Sequence, residues 1–409
     1  MIIENEKIYS IAIMFYILMT LVANDLLIPS FLCKLSIVLL IVVTILYLTF
    51  KDNYILNIEK YNFFWWYLAF VVISIVAMFY SPDRSFLNDS SYLLYTTVTI
   101  LFCFCTLTDS FEKIIIVMKS YEWGSALLFI ILYYTNNLFT DARIGGSFTG
   151  NSNTFALFMT VAFFFTSWLF LYYEENKCKK IIAGVIMIMD LTTVLLSGAR
   201  KSVIACMAYI VILFLYKKDR KGRRHLIRNV ILISLIILYL WKIMISNPYL
   251  YEIVGNRMES LMNQLLGNEV MIKGSSSYLR EEYRHAAMLG WLKSPIWGHG
   301  YDSFHFYNAV VNGHDVYSHN NFTELLYNLG IIGFVAYYFE YFRLTMLGFK
   351  SKIPSVKAIT IAGMIGILLT EYGQVDYNAS IIAIFLFVLY KLNIYAEDIK
   401  LTVVNEVEE

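Results

Sequence analysis

Charged side chains are scarce in this chain: only 15% of its 409 residues are Asp, Glu, Lys or Arg. Hydrophobic residues make up 59% and aromatic residues 17%, and the mean hydropathy is +0.61. That imbalance excludes a water-soluble globular domain and predicts an all-α integral membrane protein with many spans. The formal net charge is +1, so no basic field marks the chain for nucleic acid. Cys33, Cys103, Cys105, Cys178 and Cys206 lie in or beside apolar runs, and none falls after residue 247, which excludes a disulfide framework there. A cleavable signal pattern is missing at the N-terminus, so the first span is expected to direct insertion. Asp-x-Asp pairs and glycine-rich phosphate loops are absent too. His285, His299, His305 and His314 lack the spacing of a zinc site. No cofactor and no metal are therefore expected, and the energy for any reaction must come with the substrate.

What is present is a series of apolar runs, each near the ~17–25 residues that cross a bilayer. They lie at 8–24, 33–50, 62–80, 90–107, 121–137, 153–173, 180–197, 201–216, 228–246, 324–346, 355–373 and 378–395, about twelve transmembrane helices in all. Lys119 and Glu122 interrupt the start of the fifth. The most basic loop, Lys217 to Arg224, is expected in the cytoplasm, with Lys177, Lys179, Lys180, Lys350, Lys352 and Lys357 on the same side. Alternation then places both termini inside. It also sends 138–152, 198–200, 247–323 and 372–377 outward. The stretch 247–323 is the one large outer loop, between the ninth and tenth spans, and helical spacing predicts helices over Tyr251–Leu265 and Ser277–Lys293 within it. No internal repeat or linker appears, so 1–409 reads as a single polytopic domain.

The outer side gathers the chemistry. Ser318-His319-Asn320-Asn321 runs directly into an apolar helix. The start of such a helix, with free N–H groups and a positive dipole end, suits an anion, and imidazole changes charge near neutral pH. Arg143, Arg200, Arg280 and Arg284 share that side. Guanidinium groups bind phosphate through paired planar hydrogen bonds, so a cluster of them fits a lipid-linked diphosphate. For Arg200, snorkelling from a helix end to lipid phosphate is the competing reading; for Arg143 and Arg280 it is an ordinary surface or ion-paired role. Glu371, Tyr372 and Asp376 at an outer turn are candidates to bind sugar hydroxyls or an arginine. The outer aromatics, Tyr301 among them, are candidates to stack on sugar rings or to anchor in the headgroup layer. Asp190, an acid inside the seventh run, is a functional candidate or a partner of a neighbouring helix or of Thr192 or Thr193. It is also the main feature favouring a transporter or a flippase for lipid-linked oligosaccharides.

The order of these patches resembles the O-antigen ligase and polysaccharide polymerase (Wzy-type) superfamily. The similar elements are Arg280, then Pro295-Ile296-Trp297-Gly298-His299-Gly300, then His319-Asn320 leading to Leu329-Gly330-Ile331-Ile332-Gly333. Ser197-Gly198-Ala199-Arg200 resembles the family's Ser-Gly-Ser-Arg turn. Arg143 with Gly146, Asn151 and Asn153 resembles an earlier element, with Ser152 where proline is expected. The resemblance implies a lipid-donor glycosyltransferase of the GT-C type in the bacterial cytoplasmic membrane, acting on its outer face. It implies an undecaprenyl-diphosphate-linked glycan as donor and a second lipid-linked repeat unit as acceptor, with a chain-length regulator as a possible further partner. By similarity His319 is the general base, and Arg200 and Arg280 hold the leaving diphosphate without a metal. Arg143, Arg284, Asn320, Tyr301 and Glu371 complete the expected substrate site. A repeat-unit polymerase is the favoured reading, and a ligase that passes finished glycan to another acceptor is the alternative.

Overall fold

The computed structural model describes residues 2–22, 31–50, 61–82, 86–139, 143–145, 151–216, 239, 241–265 and 274–395. All regular structure among them is helical: α1 (Ile2–Val22), α2 (Phe31–Phe50), α3 (Asn62–Met78), α4 (Asp89–Leu107), α5 (Phe111–Tyr134), α6 (Ser152–Trp168, continued by a π-turn Leu169–Tyr173), α7 (Lys177–Leu196), α8 (Arg200–Tyr216), α9 (Asn256–Leu265, entered through Pro248–Leu250 and a π-turn Tyr251–Gly255), α10 (Ser276–Trp291), α11 (Phe304–Asn312), α12 (Asn321–Lys350), α13 (Pro354–Glu371) and α14 (Ser380–Ile394). Among the described residues, six stretches are long and apolar enough to cross a membrane: α2, α4, α5, α6 with its π-turn, α12 and α13. Lys7–Val22, α3 and α14 are shorter apolar helices. This is the helix set of a multi-pass membrane protein. The basic loop 217–224 and most of the run 228–246 lie outside the described residues, as do 140–142 and 146–150 in the loop 138–152.

The apolar patterning explains which faces meet. Along α2, Phe31, Leu35, Val38, Val42 and Ile45 stay exposed, a stripe suited to lipid, while Leu40, Val43 and Tyr47 are buried. α8 packs along α13, α1 against α5 and α2, α6 against α7, and α12 against α3 and α13. The fifth helix begins ten residues earlier than its apolar run suggested. Ser110 caps it by accepting from the Lys113 N–H. The charges that seemed to interrupt it are satisfied inside: Lys119 pairs with Glu174 at 2.7 Å, and Glu122 is buried. Asp190, also buried, accepts from Thr166 Oγ1 at 3.1 Å on α6. Thr192 and Thr193 are not its partners; they back-bond to Ile188 and Met189 carbonyls.

The stretch 247–323 is mostly helix. α9 and α10 fall where helical spacing placed them, and α11 is an addition that the sequence reading left as polar loop. Asn328 explains α11: its Oδ1 accepts from the Ser303 and Phe304 N–H groups at 3.2 and 3.0 Å, capping that helix from α12.

α10 and α12 are joined by a main-chain exchange. α12 breaks at Gly330, whose φ of 62° and ψ of −166° are accessible only to glycine. In a continuous helix the Ile331 and Ile332 N–H groups would donate to the Tyr327 and Asn328 carbonyls. Here the turn after α10 takes all four groups. Ile331 N–H donates to Pro295 O (2.9 Å) and Ile332 N–H to Ile296 O (3.4 Å), while His299 and Gly300 N–H donate to Tyr327 and Asn328 O, both at 2.9 Å. The approach is backbone on backbone. A Cβ on Gly298 would lie 2.5 Å from Asn328 O, and one on Gly330 2.2 Å from Ile296 O. This is the physical reason for glycine at both places. Gly298→Ala and Gly330→Ala should each lower stability by about 1–3 kcal/mol, read as thermal unfolding in detergent. The double variant should cost less than the sum, because both glycines serve one contact.

Candidate functional site

Three helix starts and one turn converge on a polar recess. Its lining includes Arg143 in the loop before α6, Asn153 at the start of that helix, Gly198 to Ser202 at the start of α8, Ser276 and Arg280 on α10, and Thr370, Gly373 and Gln374 at the end of α13. Three arginines and Lys201 line the same space, and no carboxylate lines it among the described residues. Such a place attracts an anion. The starts of α6, α10 and α12 are each capped by a side chain, Asn151, Ser275 and Asn320 accepting from the Asn153, Tyr278 and Thr323 N–H groups, so the basic side chains supply the attraction.

Two of the arginines donate to neutral groups. Arg143 Nε donates to Ser197 O at 2.7 Å and its Nη2 to Asn153 Oδ1 at 3.0 Å, which ties the turn before α8 to the start of α6. Arg200 Nη2 donates to Ser277 Oγ at 3.2 Å on α10. Neutral partners fix a guanidinium without cancelling its charge. Lys201 is the cation that sequence reasoning missed. A Cβ on Gly373 would fall 1.2 Å from Lys201 Nζ, so the ammonium occupies the space that the missing side chain leaves. It also lies 5.9 Å from the Tyr372 ring centroid. The residue stands beside Arg200 in sequence, but only the fold shows that glycine faces it.

His319 stands beside this recess. Its φ of 57° is left-handed, an unusual conformation for a residue with a side chain. The surrounding hydrogen bonds hold it there: buried Glu324 accepts from Ser318 N–H at 2.7 Å, and Ser318 Oγ donates to Asn320 O at 2.9 Å. The imidazole lies near Tyr317 (centroids 4.3 Å apart, rings tilted) and Tyr283 (6.3 Å, nearly parallel); Tyr283 is one of the aromatics considered for sugar stacking, and Tyr317 is a neighbour the sequence did not single out. Its Nδ1 is buried without a hydrogen-bond partner. Burial, and then the charges of Arg280 and Lys201, pull its pKa down to about 3. The ring is therefore neutral at physiological pH, with a lone pair available. Across the recess, burial pushes the Asp376 carboxyl up to about 7, with Gln374 and Lys201 opposing the shift. Its Oδ2 is buried and unpartnered.

Four expected substrate residues are placed otherwise. Arg284 is on α10 but pairs with Glu281 and stacks over Tyr372, 5.1 Å from the centroid, so it adds charge near the recess without lining it. Asn320 is buried, with both ends of its amide engaged: Oδ1 by Thr323, and Nδ2 by Tyr372 O at 3.1 Å. Tyr301 is 1% exposed, and its hydroxyl meets Ser90 Oγ at 3.0 Å, away from any sugar. Glu371 is wholly buried and accepts from the hydroxyls of Tyr337, Tyr338 and Tyr341. Polar groups in so apolar a chain satisfy one another internally. Some aromatics of this stretch are buried for a related reason: Tyr283, Phe304 and Tyr327 form a small core between α10, α11 and α12, while Trp297 stays exposed.

The fold and the recess define a class, a multi-pass helical membrane protein with a basic recess beside a buried histidine. Residues 182–338 match the family model described as O-antigen ligase, so the resemblance to the O-antigen ligase and polysaccharide polymerase superfamily holds over that stretch. It includes Arg200, Lys201, Arg280 and His319, and leaves out Arg143, Gly373 and Gln374. No curated protein matches the chain.

If Gly373 makes room for Lys201, Gly373→Ala should weaken binding of inorganic diphosphate about tenfold, and Lys201→Met by a similar factor. Calorimetry on the purified protein checks this. Combining the two should add little, since both remove the same ammonium.

Proposed function

We propose that this chain is a membrane glycosyltransferase that takes a glycan from a polyprenyl diphosphate and joins it to the hydroxyl of a second lipid-linked repeat unit. The observation that carries this reading is the pairing of a four-cation recess with an uncharged imidazole. The acceptor hydroxyl oxygen bonds to the anomeric carbon of the donor sugar. The bond from that carbon to the diphosphate oxygen breaks, and its electron pair leaves with the diphosphate. Arg200, Arg280 and Lys201 stabilise the charge that develops there. The hydroxyl proton passes to the His319 ring. One displacement inverts the anomeric centre. On this reading the recess faces the non-cytoplasmic side of the bacterial inner membrane, both termini lie in the cytoplasm, and Arg143 holds the turn that presents Arg200.

The description of the matching family favours a second reading on the same donor chemistry, transfer of finished glycan to another acceptor. Deletion separates the two: single-repeat glycans mark a lost polymerase, and long unattached lipid-linked chains mark a lost ligase.

A base held near pKa 3 is weak, and an anionic donor changes that. Bound diphosphate offsets the charges of Arg280 and Lys201 and raises the basicity of His319 as the substrate arrives. The acidic limb of kcat/KM, set by the free protein, should therefore lie well below the limb of kcat. Arg280→Gln should move the kcat/KM limb upward toward the ordinary imidazole range. A pH–rate series on both proteins tests the sign. His319→Ala should lower transfer by at least about a hundredfold while the protein still inserts and purifies as a folded species; normal product lengths would remove its role. Arg200→Lys should cost about tenfold or more in kcat/KM, because an ammonium lacks the planar paired contact. Full activity would return Arg200 to lipid anchoring.

A further inference from the structure

Directly behind the cationic recess lies a second cavity of opposite character. Leu191 and Leu195 of α7, Val203 and Met207 of α8, and Val254 and Met258 of the α9 segment line it, with Trp241 at one side. Among the described residues, no charged or hydroxyl-bearing side chain lines it. The partition between the two spaces is one backbone thick. A Cβ on Gly198, which lines the cationic recess, would sit 2.8 Å from Ile253 O, and the next residue, Val254, lines the apolar cavity. Val203 follows Arg200 by three residues, about 4.5 Å along the helix, and Met207 follows it by about 10 Å. One helix thus offers cations at its start and an apolar wall immediately below.

We infer that this groove receives the first prenyl units of the donor lipid while its diphosphate lies on Arg200, Lys201 and Arg280. The inference rests on the transferase reading and adds where the lipid tail goes. A polar head and an apolar chain joined end to end match two adjoining sites of those characters, in that order along α8. Methionine walls adapt to a branched chain, since Met fills irregular space with little rotamer strain. A bilayer acyl chain entering from the side would need no cationic recess at the groove's end, and continuity with that recess therefore selects the donor tail.

Donors with one sugar-diphosphate head and either a long prenyl tail or, as the short tail, only a methyl group test the assignment. Wild-type protein should favour the long tail by at least about tenfold in kcat/KM. Met207→Trp and Leu191→Trp fill the groove from different helices. Each should abolish that preference and leave kcat/KM on the short-tail donor unchanged. A preference that survives in both variants overturns the inference, as does an equal loss on both donors in both variants. A donor analogue with a photoreactive second prenyl unit gives a readout that needs no turnover. Labelling within 191–207 or 241–258 is expected. Labelling confined to the exposed stripe of α2 would overturn the groove. If labelling falls in the groove but no glycan transfer occurs, the transferase reading fails and the lipid site stands.

Discussion

The site depends on one exchange of main-chain hydrogen bonds. Where α12 breaks at Gly330, two carbonyls and two N–H groups lose their helical partners, and the turn 295–300 supplies a partner for each. Four buried backbone groups are satisfied that a break alone would leave unmet, and each such group costs about 1–3 kcal/mol when orphaned. The exchange fixes α10, which precedes the turn, against α12, which carries the histidine segment at its start. Arg280 and His319, far apart in sequence, are thereby neighbours. Asn328 and Glu324 extend the same arrangement through side chains, one capping α11 and the other holding Ser318.

Around that frame the charges are divided in a consistent way. Cations gather about the starts of α6, α8 and α10, and their side chains supply the attraction for negative charge. The imidazole sits to one side near two tyrosine rings, and burial first, with Arg280 and Lys201 adding to it, disfavours its charged form. On the proposed reading, the same positive field would bind an anion and hold a nearby base unprotonated until that anion arrives. Among the described residues no carboxylate lines the recess: Glu371 is enclosed by three tyrosine hydroxyls and Glu324 by Ser318 and Asn328, and Asp376 is buried near Lys201.

Much of this was readable beforehand, for identifiable reasons. Apolar run length located most helices, because a chain of this composition has few other ways to satisfy its backbone in lipid. Arg143, Arg200, Arg280 and His319 stood out as cations and a base on the side opposite the basic loop, and the fold brings them together. Other residues are placed differently from expectation because partner choice is not written locally. Asn320, Tyr301 and Glu371 have the right chemistry for sugar, yet Tyr372 O, Ser90 and a tyrosine trio claim them. Lys201 was passed over because its role depends on Gly373, more than 170 residues away. The early start of α5 was hidden because Lys119 and Glu122 look like interruptions until Glu174 and burial account for them.

The reciprocal seam at Gly330 also limits how such chains can be recombined. Residues 295–300 and 327–332 complete each other's backbone, so a chimera that imports one without the other would inherit a helix with an unfilled gap. Segments grafted between relatives should be cut before α10 and after Gly333, which moves the turn, the histidine and the split helix together as one cassette.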